Sequence, residues 1–410
     1  MLILIFFMCL PMAHYAQTAG CKDPLAANYM PAADSNDGSC LYTNTTYTPP
    51  VKTDPVTDSL SESSGLVMAG NYLWSINDGG GTATVYRIDS STGNLLQRVL
   101  LQNAQNIDWE EITFDGKYFY VADVGNNKDG ARTDLKIYKF PLAAIADYTA
   151  NPFTIIAADK IEIISFTYSN QPQPPVPADP NSTAFDCEAM IVEKGQIHLF
   201  TKNWTANTTT HYTINTVAAG TYIAQEVETF NTQFLVTGAA KTSGAGILAL
   251  LGYQSTGFGN HYLYLVSAYS NGNYFNGNKR KINLPSAAVM GQAEGIAFIG
   301  GGYGYISNEL FAAGSIFEVK QKLRSFSIDN FITALSYCYF FNGDGNWSDG
   351  LNWENIIKPP PMLHAGSEII INPATGGKCR VDVPYSIPAG CSLLVMPDKD
   401  CIINGNLIIQ

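Results

Sequence analysis

The chain has 410 residues, of which 46% are hydrophobic, 12% aromatic and only 14% charged, with a formal net charge of -12 at pH 7. That length accommodates two or three domains with cores of their own, and the composition excludes a disordered chain. The acidic balance argues against nucleic acid and anionic lipid, whose phosphates attract basic surfaces, and suits cations or neutral ligands.

Residues 1–16 of "MLILIFFMCLPMAHYAQ" form a short apolar run with small residues near its end, the pattern of a secretory signal peptide. No later segment is apolar enough to span a bilayer, so the expectation is a secreted or cell-surface protein with no transmembrane segment after the signal peptide. Beyond the leader, Cys21, Cys40, Cys338, Cys379, Cys391 and Cys401 lie outside the central region, as local disulfides of small exported modules do. Cys187 stands alone and reads as a buried, inert thiol.

Residues 20–42, "GCKDPLAANYMPAADSNDGSCLY", are turn-rich and acidic. They resemble the short "GC-x-DP … DGSC" modules of exported surface proteins from Bacteroidetes-type bacteria. Asp23, Asp34, Asn36 and Asp37 offer either oxygen ligands for Ca²⁺ or solvated acids on a cysteine-closed loop. Residues 43–57, "TNTTYTPPVKTDPVT", read as a Thr/Pro linker.

Between residues 58 and 332 a pattern recurs: "SSGLVMAGNYLWSINDGG" from Ser63, "WEEITFDGKYFYVADVGNN" from Trp109, "CEAMIVEKGQIHLFTKNW" from Cys187 and "AEGIAFIGGGYGYISNE" from Ala293, with a degenerate copy from Val236. Each has an apolar strand, a Gly turn and an alternating aromatic strand, and most are followed by another strand. Such units recurring at about 45–60 residues predict an all-β fold, a five- or six-bladed β-propeller. The long interval between the Trp109 and Cys187 copies calls for an extra blade or an insertion, and the Pro-rich residues 170–183 loop out.

In a propeller blade, the start of the first strand and the end of the second lie at one face. Ser64 to Asp78, Glu188 to Lys202 and Glu294 to Asn308 share one spacing, and Glu110 to Asp123 is one residue shorter. Glu110, Glu188 and Glu294 are therefore expected to meet Asp78, Asp123, Lys202 and Asn308 around one channel mouth. Gathered carboxylates repel unless protonated, hydrogen-bonded or paired with a cation. Two readings follow: a metal site of Glu110, Glu188 and Glu294, with Ca²⁺ as cofactor, or a lock in which glutamates accept backbone hydrogen bonds from neighbouring blades. "DVGNNKDG" from Asp123 and "NDGGGTAT" from Asn77 read as turns, and His198 as a packing residue inside its strand.

"YVADVGNN" and "EGIAF … YISNE" resemble the phytase-esterase-like and NHL-like propeller families. That resemblance implies a site on one face of the ring, often metal-dependent, with metal roles carried by Glu110, Glu188 and Glu294. Residues 337–410 carry "NWSDGLNWENIIKPPP" followed by short strands, similar to the "NW-S-NW" β-rich modules of bacterial surface proteins, with Trp347 and Trp353 as sugar platforms or core plugs. The layout favours a secreted binding or adhesion protein, Ca²⁺-dependent, for an extracellular glycan or protein ligand. The alternative is a metal-dependent hydrolase of phosphoesters, esters or lactones at the propeller mouth.

Overall fold

The structure, a computed structural model, describes residues 18–410 except 71, 243–245, 256–257, 271, 301, 315–316, 333–337, 354–357, 362 and 364–366. The expected signal peptide lies outside the described residues.

Five antiparallel units follow one another along the chain. Their inner strands are Ser63–Ala69, Trp109–Phe114, Asp186–Glu193, Leu235–Lys241 and Gln292–Gly300. Each packs on the next, and Gln292–Gly300 packs back on Ser63–Ala69, so the ring closes at five blades among the described residues. Closure at the axis requires small residues. A Cβ at Gly65 would sit 2.4 Å from the Ile112 nitrogen, and one at Gly238 would sit 2.3 Å from the Glu294 oxygen, each in a different blade.

Apolar side chains of the pleated strands fill the seams between blades. One cluster joins Trp74, Ile76 and Val99 of the first blade to Trp109, Phe119 and Phe140 of the second. Similar clusters fill the seams between the second and third, third and fourth, and first and fifth blades. The seam between the fourth and fifth blades runs on into the C-terminal module.

The long interval holds an insertion rather than another blade. Phe153–Ile156 crosses to pair in parallel with Leu95–Leu101 of the first blade, and Glu162–Tyr168 forms the outer strand of the second. Residues 43–57 are not a free linker. Val51–Thr53 is the outermost strand of the fifth blade, antiparallel to Leu323–Ser327, and Thr45–Thr46 adds to the fourth. Arg324, buried, donates to the Pro49 carbonyl at 3.0 Å and fixes this strap.

The N-terminal module is closed by a Cys21–Cys40 disulfide. Its acids are engaged in turn hydrogen bonds: Asp23 accepts from Leu25 N–H and Tyr42 O–H, Asp34 from Thr18 N–H, and Asp37 from Ser39 N–H. At the other end of the chain, parallel strands stack in register. Cys338–Phe341, Glu368–Ile371 and Ser392–Val395 form one face; Gly345–Asn346, Lys378–Val381 and Asp400–Ile403 form a second; Tyr385–Ile387 and Leu407–Ile409 form a third. Trp347 and Trp353 are buried plugs of this stack, edge to face at 4.7 Å. Among the described residues, no helix is long and apolar enough to cross a membrane.

Candidate functional site

A β-bulge interrupts the first strand pairing of every blade. The extra residues fall at Ser64–Gly65, Glu110, Glu188, Thr237 and Glu294. A bulge re-aims a side chain that a regular pleat would send into a seam. Here the five equivalent positions surround the axis. Ser64 Oγ donates to the Glu110 carbonyl at 2.6 Å and Thr237 Oγ1 to the Ala293 carbonyl at 3.0 Å, so these two tie neighbouring inner strands together. The three glutamates are buried and look into one basin at the channel mouth.

Glu188 is held by Lys202, Oε1 to Nζ at 3.0 Å, with both side chains 4% exposed. Burial works against the Lys202 ammonium, but Glu188, Tyr253 and Glu294 outweigh it and keep its pKa well above the ordinary value. Glu294 Oε1 accepts from Gln292 at 2.8 Å, and its Oε2 is buried with no hydrogen-bond partner among the described residues. Asp78, Asp108 and Glu110 each present one oxygen, and these atoms lie within 4.8 Å of one another. Two oxygens on one Ca²⁺ stand at most about 5 Å apart, twice the ~2.5 Å bond, so the trio fits a shared hard cation. Of the three glutamates expected as ligands, only Glu110 belongs to this trio.

Crowding perturbs every acid of the trio. Burial, then Asp78 and Asp186, push Asp108 up to about 7, and burial with the Asp78 and Glu188 charges drives Glu110 well above the carboxylate range. Asp78 is raised chiefly by burial. Glu294 is raised to about 7 by burial, and Glu309 well above its ordinary value by burial and by Glu294. Lys202 acts on Asp78, Asp186, Glu188, Glu294 and Glu309, while the cation acting on Asp108 is Arg132.

Two expected members turn away. Asp123 is fully buried, salt-bridged to Arg132 at 2.8 Å, and accepts the Asp108 N–H at 3.1 Å. Asn308 donates to the Glu309 and Lys320 carbonyls and accepts from Lys322 N–H. Both position acids of the mouth without facing it. A strand residue shifted by one faces the opposite side. In the fifth blade a second bulge between Phe298 and Gly300 adds a residue, so Glu309 takes the place expected for Asn308.

Sequence reasoning missed Asp108, Asp186, Tyr253, Glu309 and Glu111. Asp186 accepts from Asn126 N–H at 2.6 Å and Trp204 Nε1 at 2.7 Å. The "DVGNN" and "NDGG" turns back the trio: a Cβ at Gly125 would lie 2.2 Å from Glu110 Oε1, and one at Gly79 would lie 2.6 Å from Asp108 Oδ1. The expected lock exists, but on Glu111. Its Oε1 accepts from Ile112 N–H at 3.0 Å and its Oε2 from Ala239 N–H at 3.2 Å, with Met190 and Leu66 N–H also directed at it. Its carboxyl group thus ties four blades, and burial drives its pKa well above the ordinary value.

Cys187 is buried and its thiol is pushed up to about 12 by burial, as an inert core thiol would be. A cavity of about 700 Å³ lies at the opposite mouth between the hairpin turns and Trp353. Its Glu193 is paired with Lys241 at 2.9 Å, and the Asp78, Asp108 and Glu110 trio lies outside it.

No protein-family model matches the sequence, and no curated protein matches it. Solved structures are similar only in coarse outline. The PQQ-bound aldose sugar dehydrogenase of Streptomyces coelicolor is 12% identical over 68% of this chain and all of its own, with a TM-score of 0.37. Hydrazine synthase of Kuenenia stuttgartiensis is 12% identical over 70% of this chain and 73% of its own, TM-score 0.31. A candidate 6-phosphogluconolactonase of Bacteroides uniformis is 12% identical over 70% and 75%, TM-score 0.31. The propeller assignment rests on the closed ring of inner strands.

Proposed function

We propose that this is an exported propeller protein whose channel mouth holds a hard divalent cation, Ca²⁺ foremost, and hydrolyses a small ester, lactone or phosphoester there. The observation that carries the reading is the convergence of Asp78, Asp108 and Glu110 in a basin where Lys202 is already committed to Glu188. An all-oxygen donor set favours Ca²⁺ or Mg²⁺ over softer metals. A cation there supplies Lewis-acid polarisation of an ester or phosphoryl oxygen. The chain's residues do the remainder: Glu294 accepts the proton of an attacking water, Lys202 offsets charge near the ligand, and Gly79 and Gly125 let the turns close behind the acids.

The second reading is cation-dependent binding of a glycan or protein, favoured by the flanking disulfide module and parallel stack. Glu110, Glu188 and Glu294 are buried, so a ligand that reaches them is a small substrate rather than an extended adhesive surface. The test uses the full chain. Calorimetric Ca²⁺ titration and melting with Ca²⁺ or chelator come first, followed by a panel of simple esters, lactones and phosphoesters. Asp108→Asn should abolish both the Ca²⁺ response and turnover. Ca²⁺ binding without turnover of any class would leave the binding reading standing, and no Ca²⁺ response would sink both.

A further inference from the structure

In the C-terminal stack, Cys379 and Cys401 occupy directly paired positions on neighbouring parallel strands. Such strands run about 4.8 Å apart, inside the ~4.4–6.8 Å Cα separation that a disulfide accepts. Cys379 is fully buried, and Cys401 packs on the same apolar cluster. The strand turn that carries Cys401 is also the most weakly anchored. Val395, Ile403 and Ile409 continue the columns of Ile371, Val381 and Ile387, yet they are exposed where the latter three are buried.

We propose that Cys379 and Cys401 are a disulfide-forming pair that staples the last turn of the stack to the one before it, with a dithiol-oxidising disulfide as electron acceptor. Half-buried Cys401 is the attacking thiol. Hydrogen bonding from Cys379 holds it down to about 7, and the same bond together with burial pushes Cys379 far up. The Cys401 thiolate attacks one sulfur of the donor, whose S–S bond breaks and releases a thiolate. Cys379 gives its proton to that thiolate and attacks Cys401 Sγ, expelling the second donor sulfur. The proton that Cys401 released to solvent on ionising returns to that second sulfur, so two protein thiols lose two electrons and the donor's two sulfurs leave as thiols holding both protons.

The full chain is equilibrated with oxidised glutathione, quenched in acid, alkylated in denaturant without reductant, and digested for mass spectrometry. The expected result is a linked fragment joining Cys379 to Cys401, with Cys187 alkylated as the internal control for a free thiol. The oxidised Cys379→Ser variant should show Cys401 alkylated or glutathionylated and should melt below oxidised wild type, while both keep the Cys21–Cys40 bridge. Alkylation of both cysteines in the wild type, their linkage to Cys338 or Cys391 instead, or equal melting of the two oxidised proteins would overturn the proposal.

Discussion

Lys202 Nζ and Glu188 Oε1 lie 3.0 Å apart at the bottom of the mouth, both side chains almost out of reach of solvent. A buried pair broken on one side leaves an uncompensated charge, at a cost of about 3–5 kcal/mol. Lys202→Met is therefore expected to lower the thermal midpoint sharply in chelator. Adding Glu188→Gln should restore much of the loss, which differential scanning calorimetry of the single and double variants would reveal.

Glu110 and Glu111 are adjacent in sequence and opposite in role. Glu110→Gln removes one of several repelling acids, so stability in chelator should hold or rise while the Ca²⁺-induced melting shift disappears. Burial drives Glu111 well above the carboxylate range, and Glu111→Gln turns one of its two buried acceptor oxygens into an NH₂ group, which leaves backbone N–H groups of neighbouring blades unsatisfied at a cost of about 1–3 kcal/mol. That variant should be less stable by at least this amount and still respond to Ca²⁺. Reversed behaviour of the two variants would refute the assignment.

The acids of the mouth impose a pH dependence that a cation should cancel. Asp108 and Glu294 are raised to about 7, above the ~4 of an unfolded carboxylate. Their contribution to stability is fully present below pH ~4 and is lost as pH rises through 7. In chelator, the urea midpoint should fall between pH 5 and 8, and the stabilisation by Ca²⁺ should grow across the same interval. A Ca²⁺ effect that does not change with pH would contradict this.

His198 contributes with the opposite sign. His198 Nδ1 and His211 Nε2 are 2.9 Å apart, His211 Nδ1 is 3.2 Å from Glu228, and Tyr274, Glu193 and Lys241 face the pair. Burial, then the His211 ring, lowers His198 to about 4. The unfolded imidazole titrates near 6.5, so stability is complete above that pH and falls as pH drops towards 4, by up to about 3 kcal/mol. His198→Phe should remove this slope. The difference between wild-type and variant urea midpoints, followed from pH 7.5 to 4.5, isolates it from the carboxylates.

Truncation should expose the role of the strap. A fragment beginning at residue 57 lacks Val51–Thr53 and leaves Leu323–Ser327 as an open edge. It should melt well below the full chain and self-associate, as gel filtration with light scattering would show. Equal stability of fragment and full chain would count against closure by this strand.

Much of the architecture was legible because period-2 apolar strands and Gly turns write themselves at each blade. The three glutamates were legible too, since each follows the same entry into an inner strand. Asn308 was misplaced because the second bulge of its hairpin shifts the phase by one without any mark in composition, whereas Asp123 stands one residue short of the shared spacing and so faces the other side of its strand. Asp108 precedes its strand and Asp186 is the first residue of its own, where periodicity has barely begun. Glu111 was hidden by Glu110, because two adjacent acids in a strand ordinarily face opposite ways. The Thr/Pro stretch around Val51 lacked a strand signature because its pairing comes from Leu323 and Arg324, about two thirds of the chain away.

The bulges at Ser64, Glu110, Glu188, Thr237 and Glu294 have one more consequence. Because each bulged residue is surplus to the ladder, its identity is uncoupled from the pairing that builds the blade. The ring therefore carries five sockets whose contents can be exchanged, hydroxyl for carboxylate, without recutting the strands around them. In this chain two sockets tie neighbouring inner strands together and three place buried carboxyl groups at the channel mouth, and a different division among the five would line the same scaffold differently.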